Sequence, residues 1–105
     1  MEVRAWRSGK FLNPTTVYGI WVGKRNRTQY FQEQWENIFV EIDGVERSFR
    51  LTPGFRRRCT EFRDAGGTAI RDWIERHYTI NWPHGEPPRF LLHPLGADRF
   101  RLSKL

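Results

Sequence analysis

Apolar side chains along this 105-residue chain recur mainly at every second position, the spacing of strands with one buried face. Val3 to Arg7 alternates weakly and is read as a first strand, broken by Ser8-Gly9-Lys10. Asn13-Pro14 marks a turn, because a residue before proline is pushed out of the helical region. Val17 to Gly23 is more strand-like, with Tyr18, Ile20 and Val22 on one face and Val17 and Trp21 on the other. Apolar residues on both faces predict a strand covered on both sides. Gly19 within it marks a bulge or a closely packed neighbour. Lys24-Arg25-Asn26-Arg27 follows as a polar, basic loop, and the aromatics of Tyr30 to Glu36 favour another strand.

The clearest element runs from Asn37 to Leu51. Ile38, Val40 and Ile42 alternate with Phe39, Glu41 and Asp43, and Asp43-Gly44 supplies a two-residue turn. Val45, Arg47, Phe49 and Leu51 return on the matching face. A two-residue turn sets Ile42 opposite Val45, Val40 opposite Arg47 and Ile38 opposite Phe49. The same register sets Glu41 opposite Glu46, a like-charge pair that costs little on an exposed face.

The period then changes. Thr52-Pro53 can open a helix, since threonine caps and proline suits the first helical position. Phe55, Cys59 and Phe62 fall at i, i+4 and i+7, and Gly66-Gly67 ends that stripe. Thr68 can cap a second helix, with Ile70, Trp73, Ile74 and His77 facing in and Arg71, Asp72, Glu75 and Arg76 facing out. Two helices joined by a short turn suggest a helix-turn-helix. That motif needs a third supporting helix, however, and here the pair is embedded in strands. Arg89 to His93 and Arg99 to Leu102 close the chain as a hairpin around Pro94 to Asp98. Phe90, Leu92, Phe100 and Leu102 point inward, and Arg99 and Arg101 share the outer face. The expected fold is α+β: a small curled antiparallel sheet or partly open barrel of about five or six strands, with two short helices inserted before the last hairpin.

Composition adds three constraints. The length predicts one domain, 1–105. Only 38% of residues are apolar, but 15% are aromatic, and a few large rings can fill a small core. A single cysteine, Cys59, excludes an intrachain disulfide, which points to a reducing compartment. No apolar run approaches the length of a membrane span, and the N-terminus lacks the apolar core of a signal peptide. The expectation is a cytoplasmic protein that does not enter membranes.

Charge points to a partner. Eighteen Lys and Arg face twelve Asp and Glu, for a formal charge of +6, and most of the basic residues are arginine. Arginine forks onto phosphate and stacks on flat rings, so the balance suits a nucleic acid, DNA or RNA. Arg56, Arg57 and Arg58, with Arg63, form the main candidate contact, and Lys24, Arg25 and Arg27 form a second one flanked by Trp21, Tyr30 and Phe31. Each also has a plain reading as a solvated surface, the first tied to Glu61 and Asp64. The alternative role is a protein-interaction or accessory domain, motivated by Trp6, Trp21, Tyr30, Trp35 and Trp82 if the core cannot hide them.

Little supports catalysis. Cys59, His77, His84 and His93 lack the close spacing of metal ligands, and Cys59 and His77 lie on predicted apolar faces. Asp72 projects away from His77, which breaks up a Cys–His–Asp arrangement. The carboxylates of Glu33, Glu36, Glu41, Asp43 and Glu46 have no spacing that suits a nuclease metal. Gly66-Gly67 lacks the Lys-Ser or Lys-Thr pair of a phosphate loop. The reading is a binding domain with no catalytic residues, metal or cofactor.

Overall fold

The computed structural model describes residues 1–11 and 13–105. Seven strands form one sheet: β1 (Glu2–Arg7), β2 (Tyr18–Trp21), β3 (Asn37–Ile42), β4 (Val45–Arg50), β5 (Glu61–Arg63), β6 (Arg89–Gly96) and β7 (Arg99–Lys104). Helix α1 (Lys24–Tyr30) joins β2 to β3, and α2 (Ala69–His77) joins β5 to β6. The strand order is β4-β3-β7-β6-β1-β2-β5. Neighbours are antiparallel except β3 and β7, which run parallel with Val40 beside Phe100. The sheet curls until its two edges nearly meet, with the Phe49 and Phe62 rings 5.3 Å apart across the gap. The architecture is therefore the expected α+β, nearly closed barrel, with seven strands and one parallel pair.

The alternation read from the sequence decides which residues face in. Val3, Ile20, Ile38, Val40, Phe90, Leu92 and Phe100 are each at most 1% exposed, and all lie on inward strand positions. The β3–β4 hairpin has the expected register, including Ile38 opposite Phe49 and Glu41 opposite Glu46. Its turn residues Asp43 and Gly44 have φ of 51° and 80°, as a tight two-residue hairpin requires. Only the base of β4 enters the core. Phe49 is buried, whereas Val45 next to the turn is 51% exposed. The closing hairpin also forms, with a bulge between Pro94 and Gly96.

Gly19 marks a close approach, one of the two readings of that glycine. A Cβ there would overlap the Phe62 carbonyl oxygen and lie 3.0 Å from the Arg63 Cα. No residue with a side chain fits where β5 crosses β2. The strand is covered on one face only, since Trp21 on the outer face is 38% exposed.

The helices differ more from expectation. Only one of the two predicted in the 52–78 segment exists. Pro53–Arg56 is a single 3-10 turn, and Glu61–Arg63 is the edge strand β5. Phe55 and Phe62 are both buried, but from different elements, and Cys59 between them is exposed. Their helical spacing is a coincidence of two inward-facing residues, and the helix-turn-helix reading falls with it. The other helix is α1, formed by the residues expected to be a basic loop. Tyr30 ends α1 and the stretch after it turns, so no strand forms there.

The two helices close opposite ends of the barrel. At one end, Phe31 stacks on Phe100 with ring centres 4.9 Å apart and also meets Phe55 at 5.2 Å. At the other end, α2 inserts Ile70, Trp73 and Ile74, and Trp73 meets Phe90 edge-on at 4.9 Å. Thr68 precedes α2 but does not cap it, because its hydroxyl donates to Asp72 Oδ2. Asp64 supplies the cap: its two carboxylate oxygens accept the N–H groups of Ile70 and Arg71 at 2.9 and 3.1 Å. Burial lifts the Asp64 carboxyl above its ordinary value of 3.8, and these two N–H groups hold the rise down in part.

Candidate functional site

The end closed by Phe31 brings the two basic segments together. Helix α1 carries Lys24, Arg25 and Arg27 and buries none of its own residues. Its position is set by Asn26, which donates to the carbonyls of Glu2 and Val22 at 2.9 and 3.0 Å. Facing it is the 52–60 loop. Within that loop, the N–H groups of Arg57, Arg58 and Cys59 all converge on the Gly54 carbonyl at 3.0–3.1 Å. Arg56, Arg57 and Arg58 are all exposed on this tight wrap.

Arg27 clasps the two segments. Its Nη1 donates to the carbonyls of Phe55 at 3.2 Å and Arg57 at 3.4 Å. Arg56 in turn donates to the Trp35 carbonyl at 3.2 Å, tying the loop to the turn before β3. The triple arginine therefore does not fan from a helix. It projects from a short loop pinned at both ends by guanidinium-to-carbonyl hydrogen bonds.

Ion pairs engage only part of the basic surface. Arg63, Arg71, Arg76, Arg89, Arg99 and Arg101 each pair with a carboxylate. Arg99 meets Glu46 at 2.6 Å and Arg101 meets Glu41, while Arg47 and Arg50 on β4 are exposed and form no ion pair among the described residues. Lys24, Arg25, Arg27, Arg56, Arg57 and Arg58 form no such pair among the described residues, and neither do Arg4, Arg7, Lys10, Arg47, Arg50 and Lys104 elsewhere. Glu33 and Glu36 are the nearby carboxylates in sequence, and neither pairs with them.

Arg63 stands apart from its expected companions. It sits on β5, bonds to Glu61 at 3.0 Å and lies 4.7 Å from the centre of the Trp6 ring. The bare Gly19 between β1 and β5 permits that reach, since Trp6 and Arg63 flank it on the outer face. In the neighbouring row Arg4 lies 5.1 Å over Trp21. Trp21 adjoins the start of α1, and a Cβ on Gly23 would meet its ring at 2.9 Å. The outer face of β1 and β2 thus continues the basic end with two arginine-covered tryptophans. Sequence reasoning missed Arg4, although the outward position of Trp21 was readable from the alternation.

The residues weighed for catalysis do not converge. Cys59 lies in the exposed loop, while His77 is half-buried beside Trp73 and Asp43 on the opposite end. His93 contacts the Ser103 hydroxyl at 2.7 Å on the sheet. No group of three or more His, Cys, Asp or Glu side chains that could hold a metal occurs among the described residues. Among the described residues, no helix is long and apolar enough to cross a membrane. Comparison of the chain with protein families, curated proteins and solved structures gives no match.

Proposed function

We propose that this chain is a non-catalytic nucleic-acid-binding domain that holds phosphates on the 24–27 and 56–58 arginine cluster. One observation carries the reading. Two basic segments about thirty residues apart are clasped by Arg27 at one end of the barrel, and none of their charges meets a carboxylate. Elsewhere among the described residues six arginines are paired while Arg4, Arg7, Arg47 and Arg50 are not, so this end differs in gathering six unpaired basic residues on two joined segments. Leaving a like-charged cluster unneutralised costs stability, and a polyanion offsets that cost on binding. Arg63 is removed from the proposed contact, since Glu61 and Trp6 already engage it.

The alternative, a protein-interaction domain with exposed aromatics, draws on Trp21 and the half-buried Trp6 among the five rings considered. Trp82 is only 7% exposed, and Tyr30 and Trp35 pack against the core. Val45, Leu95 and Leu105 are exposed singly, at separate places along the chain. A fluorescence titration with duplex DNA, single-stranded DNA and RNA tests the proposal. With about four phosphates neutralised, log K against log salt should slope near −3.6 for duplex and near −2.8 for single strands. Absence of binding at low salt to all three would overturn it.

A further inference from the structure

Between α1 and the 52–60 loop lies a cavity of about 120 Å³, bordered by Arg27 and Arg56. Its walls include Phe31, Trp35, Leu51 and Phe55. We infer that this cavity takes up one unstacked base of a single-stranded nucleic acid whose phosphates lie on Arg56, Arg57 and Arg58. The inference rests on the phosphate-binding role proposed above and names the strand form that the site prefers.

Three features argue for a base as the occupant. The first is size and lining, since an apolar cavity of roughly 150 Å³ admits a benzene ring, and this space is of that order and open to solvent. The partly exposed ring in the wall is Trp35, which meets Phe31 edge-on at 6.0 Å, and both touch Phe100 beneath. The second is hydrogen bonding. Glu33 also borders the cavity, and its carboxylate can accept a hydrogen bond from the edge of a base. The third is the rim. Arg27 and Arg56 are held to backbone carbonyls at 3.2 Å, which fixes flat cations at the mouth, where a base enters and its flanking phosphates remain outside. A duplex keeps its bases stacked and must pay to extrude one, so single strands bind at lower cost.

The test compares ten-residue oligothymidylate with a ten-residue abasic strand of the same phosphate count, and with duplex. All three are titrated at low salt against the wild type and Thr28→Trp. Thr28 lines the cavity mouth and is exposed on α1, so the larger ring blocks the cavity without entering the core. One stacked base is worth roughly a 5- to 150-fold gain in affinity. The wild type should favour oligothymidylate over the abasic strand by about that factor. Thr28→Trp should lose the preference and keep its salt slope. Equal binding of the two strands by the wild type would overturn the cavity inference and leave phosphate binding standing. So would a preference that survives in Thr28→Trp, which would place the base contact elsewhere, as on Trp21. If neither strand nor duplex binds, both proposals fall together.

Discussion

Arg27→Met isolates the clasp that builds the site. Methionine keeps most of the aliphatic stem and removes the guanidinium, so the Phe55 and Arg57 carbonyls lose their donor. A hydrogen bond to a charged group contributes about 1.5–3 kcal/mol at good geometry. These two are long, at 3.2 and 3.4 Å, and share one nitrogen at a partly exposed position. The lower end therefore applies, about 1–2 kcal/mol for the pair together. For a domain of this size that corresponds to a Tm lower by roughly 4–12 °C. The loss should be local. The amides of Arg57, Arg58 and Cys59, which share the Gly54 carbonyl, should exchange with solvent roughly 5- to 30-fold faster, while those of β3 and β7 stay protected. Thermal unfolding and hydrogen exchange read the two effects. An unchanged Tm together with unchanged exchange in the 57–59 stretch would refute the role assigned to Arg27.

Two further substitutions probe the scaffold. Gly19→Ala should lower stability by about 1–3 kcal/mol or more in urea unfolding, because the new methyl overlaps the Phe62 carbonyl and separates β2 from β5; a neutral result would mean that the strand crossing is looser than described. Asp64→Asn should change the pH dependence. The folded Asp64 carboxyl titrates above 3.8, so between 3.8 and its raised value the native state binds more protons than the unfolded one. Stability of the wild type relative to Asp64→Asn should then increase as the pH falls through that window, and decrease as it rises. A difference between the two proteins that is flat, or that runs the other way, would contradict the burial assigned to this cap.

How legible each part was depended on how much local pattern the fold leaves in the sequence. The β3–β4 hairpin was readable to the residue because period-two alternation and Asp43-Gly44 both act locally. Helix α2 was readable because Ile70, Trp73 and Ile74 bury one face. Helix α1 was not, since it buries none of its residues and so carries no hydrophobic period. The 53–63 stretch misled in the opposite way, placing Phe55 and Phe62 at helical spacing from a 3-10 turn and a strand. Gly54 was the available warning, because glycine in a first helical turn costs about 1 kcal/mol against alanine. The basic residues of the site were readable singly from charge. Their meeting was not, because it depends on Arg27 reaching carbonyls twenty-eight and thirty residues away.

Two charge-matched variants test the central claim most directly. One replaces Arg56, Arg57 and Arg58 by Gln, and the other replaces Arg76, Arg99 and Arg101, which are paired to Asp43, Glu46 and Glu41. Each removes three positive charges, and thermal unfolding confirms that both are folded before titration with duplex DNA across a salt series. The Arg56–Arg58 variant should show a salt slope shallower by about 2.7, while the paired-arginine variant keeps the wild-type slope. Equal weakening in the two variants would reduce binding to net charge and contradict a site at this end of the barrel.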